Sequence, residues 1–413
     1  MAALHVTIDS LGGLGDGVAE SEIGRLHVPL TAPGDVAMVT PRGKDQAELV
    51  ELLSPGLARI APPCRHFGVC GGCGLQHLDG SFIADRKRER VRATLGRAGI
   101  IAASIAPTVS IAPRTRRRAT LAAMRIGKRV VLGFTERASH RLVDIAECWV
   151  SRPELVAILS PLRERLAALL ENGETADISV TLCANGIDLL LIRARAPTLV
   201  DRENLALMAE HLDLARIAWK SKPNREPEPI AARRTPTVRM GVHAVAIAPG
   251  GFLQPSEEGQ AALIERVSAA IGVSSGPFCD LFCGVGAFAL AASAFGSVAA
   301  YDGDLAAIGA LRALRAHGVT PHHRDLFREP LTAKELAPFQ AAILDPPRAG
   351  AQAQARMLAT SDARSIVYVS CNPTSFARDA AILAEGGYSL GEVTPVDQFL
   401  WSPHIELVGV FQR

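Results

Sequence analysis

Between residues 4 and 53 apolar and polar positions alternate in short runs: "HVTIDSL", "GGLGDGVAE", "GRLHVPL", "GDVAMVTPR" and "QAELVELL". Glycines recur where the runs break and no helical period appears, which predicts a small β-barrel over residues 1–56. A helical pattern comes next, at about 80–97. Residues 116–150 read as strands again, with "RRATLAAM" and "RVVLGFTE" flanking a Gly-Lys turn before "RLVDIAECWV". A helix predicted over 153–171 leads to "DISVTLCANGIDLLLIRA", where Asn185-Gly186 between alternating apolar residues signals a hairpin. Residues 221–236, rich in proline and charge, read as an exposed loop.

From about 250 the rhythm becomes strand and helix in alternation. "FCDLFCG", "SVAAYDGD", "AAILDPP" and "SIVYVSCNP" are apolar runs that each end in polar residues or turns. That is the pattern of an α/β, parallel, doubly wound sheet with ligands at the C-terminal ends of its strands. The expected division is a barrel (1–56), a mixed α+β region (57–249) and an α/β domain (250–413). The helix near 80–97 is a candidate to pack on the third.

Composition sharpens this only locally. The 48% hydrophobic and 21% charged content is that of a soluble globular protein. "MAALHVTIDS" lacks the basic and apolar segments of a secretory signal, so a cytoplasmic location is expected. The uncharged run 281–301 is long enough to span a bilayer, but Gly284, Gly286 and Gly296 break it, and no membrane span is expected. The net charge of +2 conceals two basic clusters, "RKRERVR" (86–92) and "RTRRR" (114–118). A solvated helix face would explain the first; together they favour a polyanionic partner. The eight cysteines do not point to disulfides in a chain without a signal.

"DLFCGVGAF" (280–288) sets Gly284 and Gly286 in a strand-to-helix turn, where the backbone can approach a ligand closely. Asp302 ends the next strand, 22 positions after Asp280, where a carboxylate can hold ribose hydroxyls. A tight structural turn would also produce such a glycine pair. The chain has no third glycine at the dinucleotide spacing and no phosphate-loop lysine, which favours S-adenosylmethionine over NAD or ATP. "LDPPR" closes the fourth strand, with Asp345 facing the pocket. Amino-group methyltransferases carry an aromatic residue where Arg348 stands, so an exocyclic amine is a less natural target.

In "VYVSCNPTSFARD" (367–379) a cysteine ends an apolar run directly before a helix start. Asn372 suits the N-cap and Pro373 the first helical position. Cys371 would sit where the helix dipole favours thiolate; an inert buried cysteine is the alternative. Glu406 lies in a late β-like segment after His404. A thiol, a methyl donor and a carboxylate together suit methylation of uracil at C5. Thiolate addition at C6 makes C5 nucleophilic, and a base then removes the C5 proton.

These segments resemble, in order and over nearly the whole chain, the RNA uracil-5 methyltransferases, and most closely those of 23S ribosomal RNA that carry an iron–sulfur cluster. The likeness lies in the N-terminal β module, a C-x5-C-x2-C cluster, "GGFLQPS", "DLFCGVGAF", "LDPPR", "SCNP" and a terminal H-x-E. It implies a Rossmann-like methyltransferase domain, a TRAM/OB-like barrel and a central RNA-binding region carrying a metal cluster. It implies Cys371 as nucleophile and Glu406 as base. Gln254, Phe282, Asp302 and Asp325 would contact the cofactor beside Gly284 and Gly286, with Asp345 in the pocket. The chain departs from the family at Ala287, commonly asparagine, and at "FLW", where Phe-Pro is common.

"CRHFGVCGGC" supplies Cys64, Cys70 and Cys73, with Cys148 the better fourth ligand; Cys183 reads as core. Four thiolates suit tetrahedral zinc, but the chain offers only one short Cys-x-x-Cys pair. The resemblance implies a [4Fe–4S] cluster. It favours 23S ribosomal RNA over transfer RNA, because bacterial transfer-RNA relatives generally lack both the cluster and the β module. A non-catalytic RNA-binding or assembly factor is the rival class, and the presence of Cys371 and Glu406 argues against it. No obligate protein partner is expected, and the target base should be flipped from its stack.

Overall fold

A computed structural model describes residues 3–102, 104–221, 226–273 and 276–413. The first unit is a six-stranded, mostly antiparallel sheet. Leu4–Thr7 and Ser10–Leu11 form its two ends, with Val36–Arg42, Gln46–Ser54, Gly24–Val28 and Gly17–Ser21 between them. Side chains alternate strictly along Val36–Arg42, and the inward ones join Val6, Ile8, Leu26 and Val28 in a separate small core. Asp35 ties this unit to residues 56–59, just beyond its last strand. Its buried carboxylate accepts from Ala32 N (2.7 Å) and Gly56 N (2.8 Å) and pairs with Arg59 (2.5 Å).

The central unit is a seven-stranded sheet in the order Leu142–Asp144, Arg129–Thr135, Arg118–Ile126, Thr175–Cys183, Gly186–Arg193, Arg216–Ser221, Glu228–Ala232. Asn185-Gly186 makes the expected hairpin, with Cys183 opposite Gly186 and Gly186 at φ 129°. Two expectations fail here. The helix expected over 153–171 is broken into Pro153–Ala157 and Leu159–Leu169. Pro161 has no N–H for the carbonyl of Ala157 and its ring crowds that turn, so the ladder breaks there. The loop expected over 221–236 contains a strand, Glu228–Ala232, antiparallel to Arg216–Ser221. It is the sheet's last strand, where Pro229 costs no interior ladder bond. Residues 222–225 of that loop lie outside the described residues.

The third unit is a nine-stranded sheet. Val319–His323, Val298–Asp302, Phe278–Leu281, Ala341–Leu344 and Ser365–Ser370 are parallel in that spatial order; Glu406–Gln412 then runs antiparallel to Ser365–Ser370, and Ser389–Asp397 antiparallel to Glu406–Gln412. The order reverses between Phe278–Leu281 and Ala341–Leu344, and a switch point of this kind opens a crevice at the strand ends. The uncharged run 281–301 resolves into strand, turn, the short helix Ala287–Ala292 and strand. Among the described residues no helix is long and apolar enough to cross a membrane.

Upstream segments complete this sheet. Ser104–Ile105 and Val109–Ser110 pair with Ser389–Asp397. Helix Gly80–Arg97 begins at Asp79, whose carboxylate accepts from Ser81 N and Phe82 N, and it lays Val91 and Leu95 into the core that holds Tyr368, Phe376 and Leu407. Lys87 on the same face is buried with its ammonium 2.5 Å from Asp397 and 3.2 Å from the Phe399 carbonyl. That pair fixes the helix to the segment leading to Glu406.

Candidate active site

Strand Phe278–Leu281 is buried throughout, and its Asp280 carboxyl is held well above the usual carboxylate range by burial and by the charges of Asp345 and Asp302. The chain then turns through Phe282 (φ 66°), Gly284 (φ 54°) and Gly286 (φ 90°). Gly286 is required twice over. Its left-handed backbone disfavours a side chain, and a Cβ there would come within 2.6 Å of Leu311. Asp302 closes the loop, accepting from Gly284 N (2.8 Å) and Asp304 N (2.7 Å). Asp325 accepts from Phe327 N (3.0 Å), and the rings of Phe282 and Phe327 stand 5.3 Å apart.

The next two strand ends converge on the same space. Asp345 accepts from Gln254 Nε2 (3.2 Å), and burial, reinforced by the Asp302 charge, pushes its pKa up to about 7. Asn372 caps helix Pro373–Glu385 by accepting from Thr374 N (3.1 Å), while its Nδ2 donates to the Arg348 carbonyl (3.1 Å). Ser375 Oγ donates to that carbonyl as well (3.1 Å), so the "DPPR" loop is stitched to the mouth of the helix. Cys371 sits there half-buried. The acidified thiol expected from the helix dipole is not found. Burial, then the charges of Glu406 and Asp345, push it up to about 11, because two carboxylates and desolvation outweigh one helix end.

Glu406 opens the last strand, 4% exposed, and its Oε2 lacks a hydrogen-bond partner. Burial and Asp345 raise it well above the usual glutamate range, with the Gln398 amide opposing. A cavity of about 550 Å³ is lined by Gln254, Phe282, Gly284, Asp302, Asp325, Asp345, Arg348, Cys371 and Glu406. Gly286 turns the chain beside this cavity without lining it.

Sequence reasoning missed several residues that hold this arrangement. Gln398 donates to Gln254 Oε1 (2.8 Å), so one amide links Gln254 to the neighbourhood of Glu406. Arg117, only 1% exposed, donates to the Gln254 carbonyl (3.1 Å) and Gln260 Oε1 (2.9 Å). Arg118 donates to the carbonyls of Gly251 (2.9 Å) and Gly250 (3.0 Å). In the sequence the basic cluster 114–118 counts toward a polyanionic partner. In the fold its Arg117 and Arg118 instead point inward, as clamps on the backbone of residues 250–254. No local signal marks this, because the carbonyls that the two side chains meet lie more than 130 positions away.

Cys64, Cys70, Cys73 and Cys148 line a second cavity, of about 430 Å³, with Arg116, Phe399 and His404. Burial, then the neighbouring thiols, push Cys73 up to about 12. Among the described residues no three acidic, histidine or cysteine side chains close on a point that could hold a single metal ion. The cavity is tied to the first one, since Gly74 N (2.9 Å) and Leu75 N (3.0 Å) both donate to the Trp401 carbonyl, five residues before Glu406. Cys183 is buried at the end of its strand and lines neither cavity.

Residues 322–413 match the family described as tRNA (uracil-5-)-methyltransferase. An uncharacterised RNA methyltransferase of Brucella suis is 42% identical, covering 99% of this chain and 98% of its own. The 23S rRNA (uracil(1939)-C(5))-methyltransferase RlmD of Halomonas elongata is 32% identical over 97% of this chain and 88% of its own. Among solved structures, the Pyrococcus abyssi tRNA (uracil-54, C5)-methyltransferase in complex with S-adenosyl-L-homocysteine superposes with a TM-score of 0.78. It is 23% identical and covers 98% of this chain and 99% of that one, a likeness of fold. With its methyltransferase fold and full-length relatives, the chain belongs to the RNA uracil-5 methyltransferases, enzymes that use S-adenosylmethionine.

Proposed function

We propose that Cys371 and Glu406 carry out the two covalent halves of uracil C5 methylation on 23S ribosomal RNA. The observation that supports it most is the placement of a thiol and a buried, unpartnered carboxylate on one cavity with the glycine turn and Asp302. S-adenosylmethionine supplies an electrophilic methyl group. Gly284 would let the backbone approach it where Gly286 turns the chain, Asp302 and Asp325 would meet its polar groups, and Phe282 and Gln254 would border it. The Cys371 thiol gives its proton to solvent and its sulfur bonds to C6 of the uracil, pushing electrons through the ring so that C5 takes the methyl and S-adenosylhomocysteine leaves. Glu406 then removes the C5 proton, the C6–S bond breaks and the thiol is restored. Asp345 and Gln254, held by Gln398 and Arg117, fix the ring between the two.

The ribosomal target is supported by the Halomonas relative, which matches almost end to end. A transfer-RNA target is the second reading, favoured by the family match over residues 322–413. Mapping 5-methyluridine in both RNAs from cells with and without this protein separates them. We expect one 5-methyluridine to vanish from 23S ribosomal RNA. Loss from transfer RNA would establish the second reading, and no change in either would sink both.

Cys64, Cys70, Cys73 and Cys148 are the ligands we assign to a [4Fe–4S] cluster. The support is an all-thiol donor set around one cavity. Zinc is the rival, since four thiolates also suit a tetrahedral site, but the chain offers only one short Cys-x-x-Cys pair. No electron moves in the methylation scheme, so the cluster would serve to hold the Gly74–Leu75 loop against Trp401. Protein purified without oxygen should be brown, with about four irons per chain, and Cys73→Ser should lose the colour and unfold at lower temperature. A colourless protein with stoichiometric zinc would overturn the assignment.

A further inference from the structure

A third cavity lies away from the thiol, between the glycine turn of the N-terminal sheet and helix Gly80–Arg97. It measures about 390 Å³; Leu75, Leu78 and Ile83 form its floor, and Pro403 is part of its wall. We propose that this cleft seats a nucleotide directly flanking the target uridine, with its base or ribose on the apolar floor and the adjoining phosphates on Arg86, Arg90 and Arg97. The proposal deepens the functional reading above and rests on it.

Spacing is the first argument. Arg86, Arg90, Ala93 and Arg97 all line the cleft and follow one another by four, three and four residues, so they share one helical face. From Arg86 to Arg97 the helix rises about 16 Å, several times the 3.4 Å axial step of one nucleotide. The row can therefore follow a strand rather than grip a single ion.

Charge is the second. Arg86 donates to the Leu11 carbonyl (2.9 Å), Arg90 to the Pro403 carbonyl, and Arg97 to the Ala93 carbonyl and Thr94 Oγ1 (each 3.3 Å). All these partners are neutral, and among the described residues no carboxylate lies within ion-pair distance of the three. The other charges on the cleft are already matched: Lys87 by Asp397, and Glu89 by Arg92 at 2.5 Å. The three guanidinium groups thus keep their charge for a partner outside the protein.

Continuity is the third. Pro403 belongs to the loop that runs through His404 to Glu406, and Arg348 on the catalytic cavity is close enough to Arg90 for the two charges to repel. The basic row thus runs from Arg97 through Arg90 to Arg348, beside Cys371. A uridine extruded into the catalytic cavity drags its neighbours to that mouth, and this is the apolar, cationic channel they meet. An acidic peptide would satisfy the charge but has no reason to end at that mouth.

The test uses the intact protein and a substrate RNA carrying 5-fluorouridine at the target and 4-thiouridine one or two positions to either side. If the wild type forms no covalent adduct, the functional reading fails and takes this proposal with it. If the adduct forms, illumination should cross-link the flanking nucleotide on one side to peptides containing residues 11–15, 90–97 or 403. Adducts whose cross-links from both sides map elsewhere overturn the cleft alone. In a second measurement, Arg86→Ala with Arg97→Ala should raise KM for RNA roughly tenfold at moderate salt. It should also flatten the salt dependence of log KM by about 1.4, two contacts at roughly 0.7 each for a single strand. Lysine at both positions should restore most of the slope, and S-adenosylmethionine affinity should not move. An unchanged slope, or displacement of RNA by polyglutamate at equal charge, would count against the proposal.

Discussion

Cys371→Ala should leave a folded protein that binds S-adenosylmethionine but forms no covalent complex with RNA containing 5-fluorouridine. Fluorine at C5 cannot leave as a proton does, so the normal enzyme is trapped after addition and methyl transfer. Without the sulfur there is nothing to trap. Losing a nucleophile that works as part of a unit costs on the order of 10⁴–10⁶-fold in turnover. Methyl transfer should fall to the limit of detection. An adduct that survives the substitution would place the nucleophile elsewhere. The thiol also predicts a pH dependence. Its pKa is raised to about 11, so below that value the thiolate fraction grows about tenfold per pH unit. Alkylation of Cys371 by iodoacetamide, followed on its own peptide by mass spectrometry, should accelerate accordingly between pH 7 and 9. A flat profile would show a thiol already ionised near neutrality.

Glu406→Gln separates the two halves of the reaction. Addition at C6 and methyl transfer need no base at C5, but release of the product does. Removing a positioned base costs about 10²–10⁴-fold. The variant should therefore accumulate a denaturation-resistant complex with ordinary, unfluorinated RNA, methylated but not released. The substitution also deletes the carboxylate that, after burial, raises the Cys371 pKa most. Where Glu406 is ionised that charge is lost, so thiolate is easier to form and alkylation at a fixed pH near 10 should be faster than in the wild type. Slower alkylation, or free turnover with no trapped complex, would remove Glu406 from the role.

The parts of this site set by local chemistry could be read from the sequence. Asn372-Pro373 announces a helix start, Asn185-Gly186 a hairpin and "DLFCGVGAF" a strand-to-helix turn, because each depends on the backbone preferences of a few adjacent residues. The break at Pro161 is equally local but lies hidden beneath the helical period around it. What could not be read depends on folding distant segments together. Nothing in "RTRRR" tells which guanidinium turns inward to the carbonyls of residues 250–254, more than 130 positions away. Nothing beside Gln398 tells that its amide meets Gln254. The state of the thiol escapes a local reading for the same reason: the helix end is local to Cys371, whereas Glu406 and Asp345 reach it through the tertiary fold.

The pairing of residues 104–110 with strand Ser389–Asp397 bears on how this chain can be divided. Cut at residue 250, the C-terminal piece would carry every group of the chemistry yet leave the backbone of its outermost strand bare. Asp397 would also have lost its ammonium counterpart. A naked strand edge of that kind recruits other chains, so such a piece would self-associate before it could be assayed. The methyl-transferring half is therefore not a portable cassette, and loss or exchange of the upstream half would be tolerated only with a substitute for that covering strip.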